Sequence, residues 1–374
     1  MNLREYQAKN IFSQHGITIP IGKITTTPEE TAKAASELNS QVVIKPQLGV
    51  KGRGKAGGIG FAPDPAAALQ EAERLLSLTI KGETVEKLLV EEKIDIADEL
   101  YIAVTVDYSI RHPVLIASSE GGVEIEETAK THPERVFRIP VNILTGPTPD
   151  DFTTIADQLG QDTAQYLEIL YRIFRQYDAE LVEINPLVRT KQGNLCAVDA
   201  VLNINEDSVF RHEELADFKK EIPVVDPISE EASRSSWTYI DLPGDIGILS
   251  SGAGLTMAIL DLIHKAKGKP ANFLDTAQID DEGIYNAFDL LSRAKKTRVL
   301  LVNMFAGLNR CDNLALGIQR YLNDHPMEIP IVVRMIGNRE EEGHRILREI
   351  GIEPFTRLED AIEHAVKLSK EAEV

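Results

Sequence analysis

The sequence predicts an α/β protein of two successive domains: an α+β body over residues 1–225 and a doubly wound parallel sheet over residues 241–374, joined by a linker at 226–240. Three observations carry this. Up to residue 202, β-branched runs that open into polar or glycine-rich turns recur close together, the pattern of antiparallel strands. From Glu221 to Trp237 the chain turns polar, with Pro223, Pro227, Glu230, Glu231 and several serines, the composition of a domain boundary. Beyond it, short apolar runs alternate with helical segments, which specifies parallel strands joined by crossover helices.

Composition sets the outer limits. With 374 residues, 43% of them apolar, the chain can bury two ordinary cores. A formal net charge of −19 argues against general binding to nucleic acid or an anionic membrane, so a phosphate-bearing ligand needs a basic pocket of its own. Cys196 and Cys311 are the only cysteines and form no zinc spacing, which points to a reducing compartment rather than a disulfide scaffold. Met1-Asn2-Leu3-Arg4-Glu5-Tyr6 holds no apolar leader core, and no later stretch approaches a membrane span. A cytoplasmic protein is expected.

Taken in order, Asn2 followed by Glu5 reads as a helix cap and its reciprocal partner, with Gly16 ending that helix. Thr27-Pro28 and Asp64-Pro65 are two further helix starts, each a capping side chain followed by proline. Between them lies the most distinctive stretch of the chain. Val42-Val43-Ile44-Lys45 opens into residues 49–60, which hold six glycines and three cations, and no acid occurs between Glu37 and Asp64. Glycine lets backbone N–H groups approach an oxyanion, while lysine and arginine add charge and directional donors, so the stretch suits a phosphate. The same composition also fits the tip of a surface hairpin. Gly49, Gly54 and Lys55 have the spacing of a P-loop. Ala56, however, replaces the hydroxyl residue that would hold magnesium, and Gly57-Gly58-Ile59-Gly60 cannot open a helix. A strand, a glycine-rich loop and a second strand folded over nucleotide phosphates are therefore expected.

Residues 87–92, 99–107 and 113–117 predict an antiparallel meander. Residues 150–177 follow as one or two amphipathic helices with Leu159, Tyr166, Leu170, Ile173 and Phe174 inward. Residues 181–188 and 195–201 read as a hairpin joined through Lys191-Gln192-Gly193. If Gly193 takes the left-handed position of a three-residue loop, pairing centres on Gln192 and Asn185 faces Asp199. Opposed Cβ atoms lie about 5 Å apart, close enough for one carbonyl and one carboxylate to share a magnesium ion. A two-residue turn would break that pair. Glu183 would share the face, and the same pattern also fits a water-facing sheet. The basic loop favours the metal, because nucleotide triphosphates are handled as magnesium complexes.

In the second half, strands are expected at 247–251, 272–275, 299–305 and 331–335, with a short fifth at 353–355 before a last helix ending near Leu368. Ligands of such sheets gather at the strand carboxyl ends. Two turns stand out there, Ser250-Ser251-Gly252-Ala253-Gly254 and Phe305-Ala306-Gly307-Leu308-Asn309-Arg310, each opening a helix whose N–H groups suit a carboxylate or phosphate. The first is a poor dinucleotide fingerprint, since Met257 replaces the third glycine.

Several motifs together resemble one family over essentially the whole chain. They are Met1-Asn2-Leu3-Arg4-Glu5-Tyr6-Gln7-Ala8-Lys9, Gly52-Arg53-Gly54-Lys55-Ala56-Gly57-Gly58, Ser119-Glu120-Gly121-Gly122-Val123-Glu124-Ile125-Glu126, Glu183-Ile184-Asn185-Pro186-Leu187-Val188, Gly252-Ala253-Gly254-Leu255 and Pro270-Ala271-Asn272-Phe273-Leu274-Asp275. The chain is similar to the beta subunits of ADP-forming succinate–CoA ligases, which implies an ATP-grasp domain followed by a flavodoxin-like CoA-ligase domain. The resemblance implies an acid–thiol ligase in which phosphate passes from ATP through a histidine on an alpha subunit to an acyl phosphate and then to acyl-CoA. That partner would carry most of the CoA site, in an αβ or α2β2 heteromer. Carried over by position, Lys45 and the Gly52, Arg53 and Gly54 backbone contact the phosphates, Glu91 to Ile94 form the hinge that holds the base, and Glu99 receives the ribose. Asn185 and Asp199 ligate Mg2+, Glu183 adjoins the phosphorylated histidine, and Ser251, Gly307, Leu308 and Asn309 form the acid site.

Departures from the family pattern cluster in the acid half. Thr276-Ala277-Gln278-Ile279-Asp280-Asp281-Glu282 replaces a run of three glycines at a helix start, and acids there would repel a phosphate. Ser251 replaces an asparagine, Ala306-Gly307-Leu308-Asn309 a double-glycine turn, and Ala200-Val201 a Gly-Lys pair. The 306–312 turn looks closer to malate-activating paralogues, and citrate-activating relatives are a further alternative. A different class also stays open, a non-catalytic nucleotide-sensing subunit. A stand-alone ligase is disfavoured, because the chain brings no CoA site or nucleophile of its own.

Overall fold

A computed structural model describes residues 1–49, 57–122, 125–220, 226–294 and 297–372. The chain divides into two compact units, Met1–Pro223 and Val224–Val374. No described helix is long and apolar enough to cross a membrane.

The first unit begins with α1 (Glu5–Gln14), β1 (Gly22–Thr25), α2 (Pro28–Leu38), β2 (Val42–Pro46), β3 (Gly60–Ala62), α3 (Pro65–Leu76), the short pair β4 (Thr79–Ile80) and β5 (Glu83–Thr84), and β6 (Leu88–Glu92). The predicted caps form: Thr27 Oγ1 accepts the Glu30 N–H at 3.2 Å and Asp64 Oδ1 the Ala67 N–H at 2.8 Å. An antiparallel sheet runs β1-β6-β2-β3. Val42, Ile44, Leu88 and Val90 bury their side chains with Ala34, Ala35, Ala68, Ala72 and Leu75 of the two helices. Val42 lies opposite Ala62, so the glycine-rich stretch joins two neighbouring antiparallel strands, as a strand, loop and strand should. Gly52, Arg53 and Gly54 themselves fall outside the described residues.

A second sheet follows: β7 (Ile96–Asp107), β8 (His112–Ser118), α4 (Ile125–Thr131), β9 (Val136–Pro140), α5 (Pro149–Leu159), α6 (Gln161–Gln176), β10 (Ala179–Thr190), β11 (Leu195–Ala197) and β12 (Val201–Ile204), with α7 (Ala216–Lys220) behind it. Its order is β11-β10-β7-β8-β9, and β12 also pairs with β10. Leu167, Leu170, Ile173 and Phe174 of α6 pack on Ile102, Val104, Val182 and Ile184, so the inward stripe read from the sequence is the core.

Two expectations need correction here. Asn2 does not cap α1: residues 1–3 are extended, with the Leu3 N–H on the Leu202 carbonyl and the Ile204 N–H on that of Met1, and Arg4 occupies the cap position with its N–H on Gln7 Oε1. Residues 87–92 do not join a meander with the next two strands. The nearly continuous burial of Leu88-Leu89-Val90-Glu91 belongs to an inner strand of the first sheet, and residues 93–95 carry the chain across to the second.

The second unit contains α8 (Pro227–Arg234), β13 (Thr238–Asp241), β14 (Ile246–Ser250), α9 (Ala253–Lys265), β15 (Asn272–Asp275), α10 (Asp281–Ser292), β16 (Val299–Ala306), α11 (Cys311–Asp324), β17 (Ile331–Gly337), α12 (Glu340–Glu349) and α13 (Leu358–Glu371). The sheet order is β13-β15-β14-β16-β17, parallel except for β13. Alternate residues of β16 face opposite layers, Leu300, Val302 and Met304 toward α10 and α11, Val299 and Leu301 toward α9 and α13. This is the doubly wound α/β arrangement the alternating pattern predicts.

Residues 226–240 are not a featureless linker. They form α8 and most of β13, and Ala232 and Tyr239 enter the core. The expected fifth strand reduces to a single bridge between Arg334 and Phe355.

Candidate functional site

The hairpin of β10 and β11 sets the first wall of the site. Leu187 pairs with Ala197, Val188 with Cys196 and Arg189 with Leu195, a register centred on Gln192, and Gly193 has φ of +89°. On β12 the same register resumes, with Glu183 opposite Val201 and Val182 opposite Leu202. Asn185 therefore stands across from Asp199 in the interruption between β11 and β12. Val182 and Ile184 enter the core, and Glu183 and Asn185 point the other way.

Both oxygens are oriented by backbone. Asp199 Oδ1 accepts its neighbour Ala200's N–H at 2.8 Å, and Asn185 Oδ1 accepts the Gly122 N–H at 2.7 Å. The turn that brings Gly122 there needs glycine: a Cβ on Gly121 would sit 2.3 Å from the Leu100 carbonyl oxygen. The Gly121-Gly122 motif, quoted above only as part of a resemblance, thus aims Asn185.

Against this hairpin lies a cluster of paired charges. Lys45 Nζ lies 2.9 Å from Glu5 Oε1 and 3.0 Å from Glu91 Oε2, and also donates to the Val198 carbonyl. Burial alone would push its ammonium pKa down, but Glu5, Glu91 and Asp199 together override this and hold it above its ordinary value. Beneath it, Lys9 Nζ lies 2.8 Å from Glu5 Oε1, 2.6 and 2.7 Å from the two Glu91 oxygens, and 2.8 Å from the Val198 carbonyl. Neither Lys9 nor Glu5 was singled out for a site from the sequence. The sequence carries no signal that sets them apart, because an i, i+4 Glu–Lys pair on a helix is ordinarily a surface pair.

Lys45, Glu91, Ile94, Glu99, Glu183, Asn185 and Asp199 all border one cavity of about 620 Å3. Its lining also includes apolar side chains, among them Pro20, Val43, Ile59, Phe61 and Ile96. A ligand with a flat, mostly apolar ring and a polyanionic tail suits such a mixed lining. Glu91 turns its carboxylate to the two lysines, and the strand–hinge segment that follows it supplies Lys93 and Ile94 to the cavity. Asn185 and Asp199 offer hard oxygen donors of the kind Mg2+ takes. Among the described residues no group of three or more His, Cys, Asp or Glu is assembled for a metal, so further ligands would come from the phosphates and water.

In the second unit the turns after β14, β15 and β16 are tied together. Asp275 Oδ1 accepts the N–H groups of Gly252 and Ala277 at 2.7 and 2.8 Å, Ser251 Oγ accepts that of Phe305 at 3.3 Å, and Asn309 donates its amide to the Ile279 carbonyl. Ser251 and Asn309 therefore brace the turns, while Gly307 and Leu308 are exposed at the tip. The Arg310 guanidinium holds the Asp312 carboxyl below its usual range. A folded-state pKa below the unfolded one, near 4, means that this stabilisation is present above about pH 4 and is lost as pH falls through the folded value. Asp312→Asn should accordingly lower the melting temperature at neutral pH, and the gap to the parent should close below pH 4 in thermal melts.

Comparison with known proteins gives the lineage. An ATP-grasp domain match covers residues 2–189 and a CoA-ligase match residues 249–368. The chain is 42% identical over 377 residues to the succinate–CoA ligase [ADP-forming] subunit beta of Desulfurococcus amylolyticus, covering 98% of this chain and 99% of that one. The chain belongs to the succinate–CoA ligase beta-subunit family. The family is not uniform in its named nucleotide: the Thermus thermophilus beta subunit, 39% identical over 93% of both chains, is named GDP-forming. A solved structure of ATP citrate lyase from Methanothrix soehngenii, with citrate and coenzyme A, shares the fold at a TM-score of 0.75 and 19% identity, covering 98% of this chain and 99% of that one.

The start of α10 is acidic. Asp280 Oδ1 caps it by accepting the Gly283 N–H at 2.8 Å, and Glu282 pairs with Arg320 at 2.5 Å. A carboxylate from the chain itself thus caps this helix start, where the sequence resemblance implies glycines.

Proposed function

We propose that this chain is the nucleotide-binding subunit of an ADP-forming carboxylic acid–CoA ligase, with succinate as the acid and malate or citrate as the alternatives to test. The observation that carries this is the convergence of Lys45, Glu183, Asn185 and Asp199 on one cavity that apolar side chains also line. Lys45 donates to the phosphate oxygens, and the segment through Ile94 holds the base with Glu99 at the ribose. Mg2+, held by Asn185 and Asp199 when bound, supplies charge neutralisation to the triphosphate. Glu183 faces a histidine of an alpha subunit and holds its ring proton while the ring nitrogen displaces ADP from the γ-phosphorus.

The phosphoryl group then moves to a carboxylate oxygen, and the CoA thiolate displaces inorganic phosphate to form the thioester. Ser251, Gly307, Leu308 and Asn309 border the acid. Cytoplasmic residence agrees with Cys196 and Cys311, both buried thiols that burial pushes up to about 11.

The test is acid- and CoA-dependent ADP release by the chain co-expressed with an alpha subunit, with succinate, malate and citrate in parallel. Turnover confined to succinate is expected, and turnover confined to another acid reassigns the substrate. The acid cap on α10 favours one second reading, a nucleotide-sensing subunit. Tight MgATP binding without label reaching a partner histidine from γ-labelled ATP would establish it.

A further inference from the structure

The buried charges under the cavity are arranged unequally. Two ammoniums and two carboxylates meet there, but Lys9 holds both oxygens of Glu91 at 2.6 and 2.7 Å and Glu5 at 2.8 Å, while Lys45 lies at 2.9 and 3.0 Å from the same pair. Lys9 is 2% exposed and takes no part in the cavity wall, whereas Lys45 is 12% exposed and borders it. One cation is committed to the protein and the other faces the ligand. Without Lys9, Glu5 and Glu91 would place two negative charges against the single charge of Lys45, with Asp199 close by, and a polyphosphate would meet a net negative floor.

We propose that Lys9 is the positioning residue of the phosphate site: it neutralises Glu5 and Glu91 from below, so that the charge of Lys45 is left for the phosphates. This rests on the nucleotide reading of the cavity. Lys9 does not touch the ligand. It acts through the two carboxylates, and α1 is held in place for this by Arg4 and Gln47: the Arg4 guanidinium donates to the Gln47 carbonyl, and Gln47 Oε1 accepts the Tyr6 N–H at 3.1 Å.

The role predicts a dependence on ligand charge that simple structural support does not. Calorimetric titration of the full chain with MgATP and with adenosine should show Lys9→Met losing MgATP affinity by roughly tenfold or more while adenosine affinity stays within about twofold. Adding Glu91→Gln to Lys9→Met removes one charge of each sign and should restore MgATP affinity to within about threefold of the parent. Should Lys9→Met not fold, Glu91→Gln alone gives the opposite sign, tighter MgATP relative to adenosine. Equal loss for both ligands, no loss for either, or no recovery in the double variant overturns the proposal, as does weaker MgATP binding by Glu91→Gln alone. A parent chain that ignores MgATP would instead remove the nucleotide reading itself.

Discussion

Asp199→Asn should weaken magnesium-dependent nucleotide binding by about tenfold to a hundredfold while leaving the melting temperature nearly unchanged. The substitution keeps the shape of the side chain, including an oxygen able to accept the Ala200 N–H, which the parent carboxylate accepts at 2.8 Å. What it removes is one negative charge at the position proposed to ligate Mg2+. That charge also acts on Lys45, so its loss frees cationic field for the phosphates. The expected result is therefore a split. MgATP affinity falls, and affinity for ATP in excess chelator holds or rises. A parallel fall in both would mean that Asp199 serves the pocket by packing, and unchanged MgATP affinity would sink the metal assignment.

Gly121→Val should have the largest effect on stability, a loss of about 2–4 kcal/mol in urea denaturation. The added Cβ would lie 2.3, 2.7 and 2.9 Å from the carbonyl oxygen, carbonyl carbon and nitrogen of Leu100, all of them backbone inside a sheet and unable to yield. The turn must lift, and it takes with it the Gly122 N–H that holds Asn185 at 2.7 Å. Molecules that remain folded should bind MgATP more weakly through a misaimed Asn185. By contrast, Gly193→Ala at the hairpin tip meets no atom within 4 Å, and only its φ of +89° is strained, an expense of about 1 kcal/mol. If both variants were equally mild, close approach at Gly121 would not be what the glycine supplies.

How far the sequence carried varied with the range of the interaction that decides each element. The helices after Thr27 and Asp64 and the turn at Gly193 were legible because a cap or a positive φ is settled within four residues. The register that opposes Asn185 and Asp199 followed from that turn alone. The transfer of Leu88–Glu92 to the other sheet was not legible, since a polar break between strands reads the same whether the chain turns back or crosses over. The extended residues before α1 and the edge strand Thr238–Asp241 depend on partners elsewhere in the fold, at Leu202 and Asn272 among others. Lys9 and Glu5 look like an ordinary surface pair by spacing, and only the sheets that close over α1 turn them into buried charges.

The hairpin and the charge cluster differ in how they come into being. Asn185 and Asp199 lie within one hairpin, and closing its three-residue turn, a fast local event, sets the register that opposes them. The buried cluster of Lys9, Lys45, Glu5 and Glu91 requires Lys9 to reach the Val198 carbonyl across 189 residues of chain, a contact whose loop-closure entropy must be met by everything between. The register of the oxygen pair is therefore set locally, whereas the aim of Asn185 through the Gly122 N–H and the pairing of Lys9 with Glu91 both wait for the sheets to assemble around the first helix. The buried charge cluster is thus a product of the whole unit's assembly, and no single segment of the chain contains it.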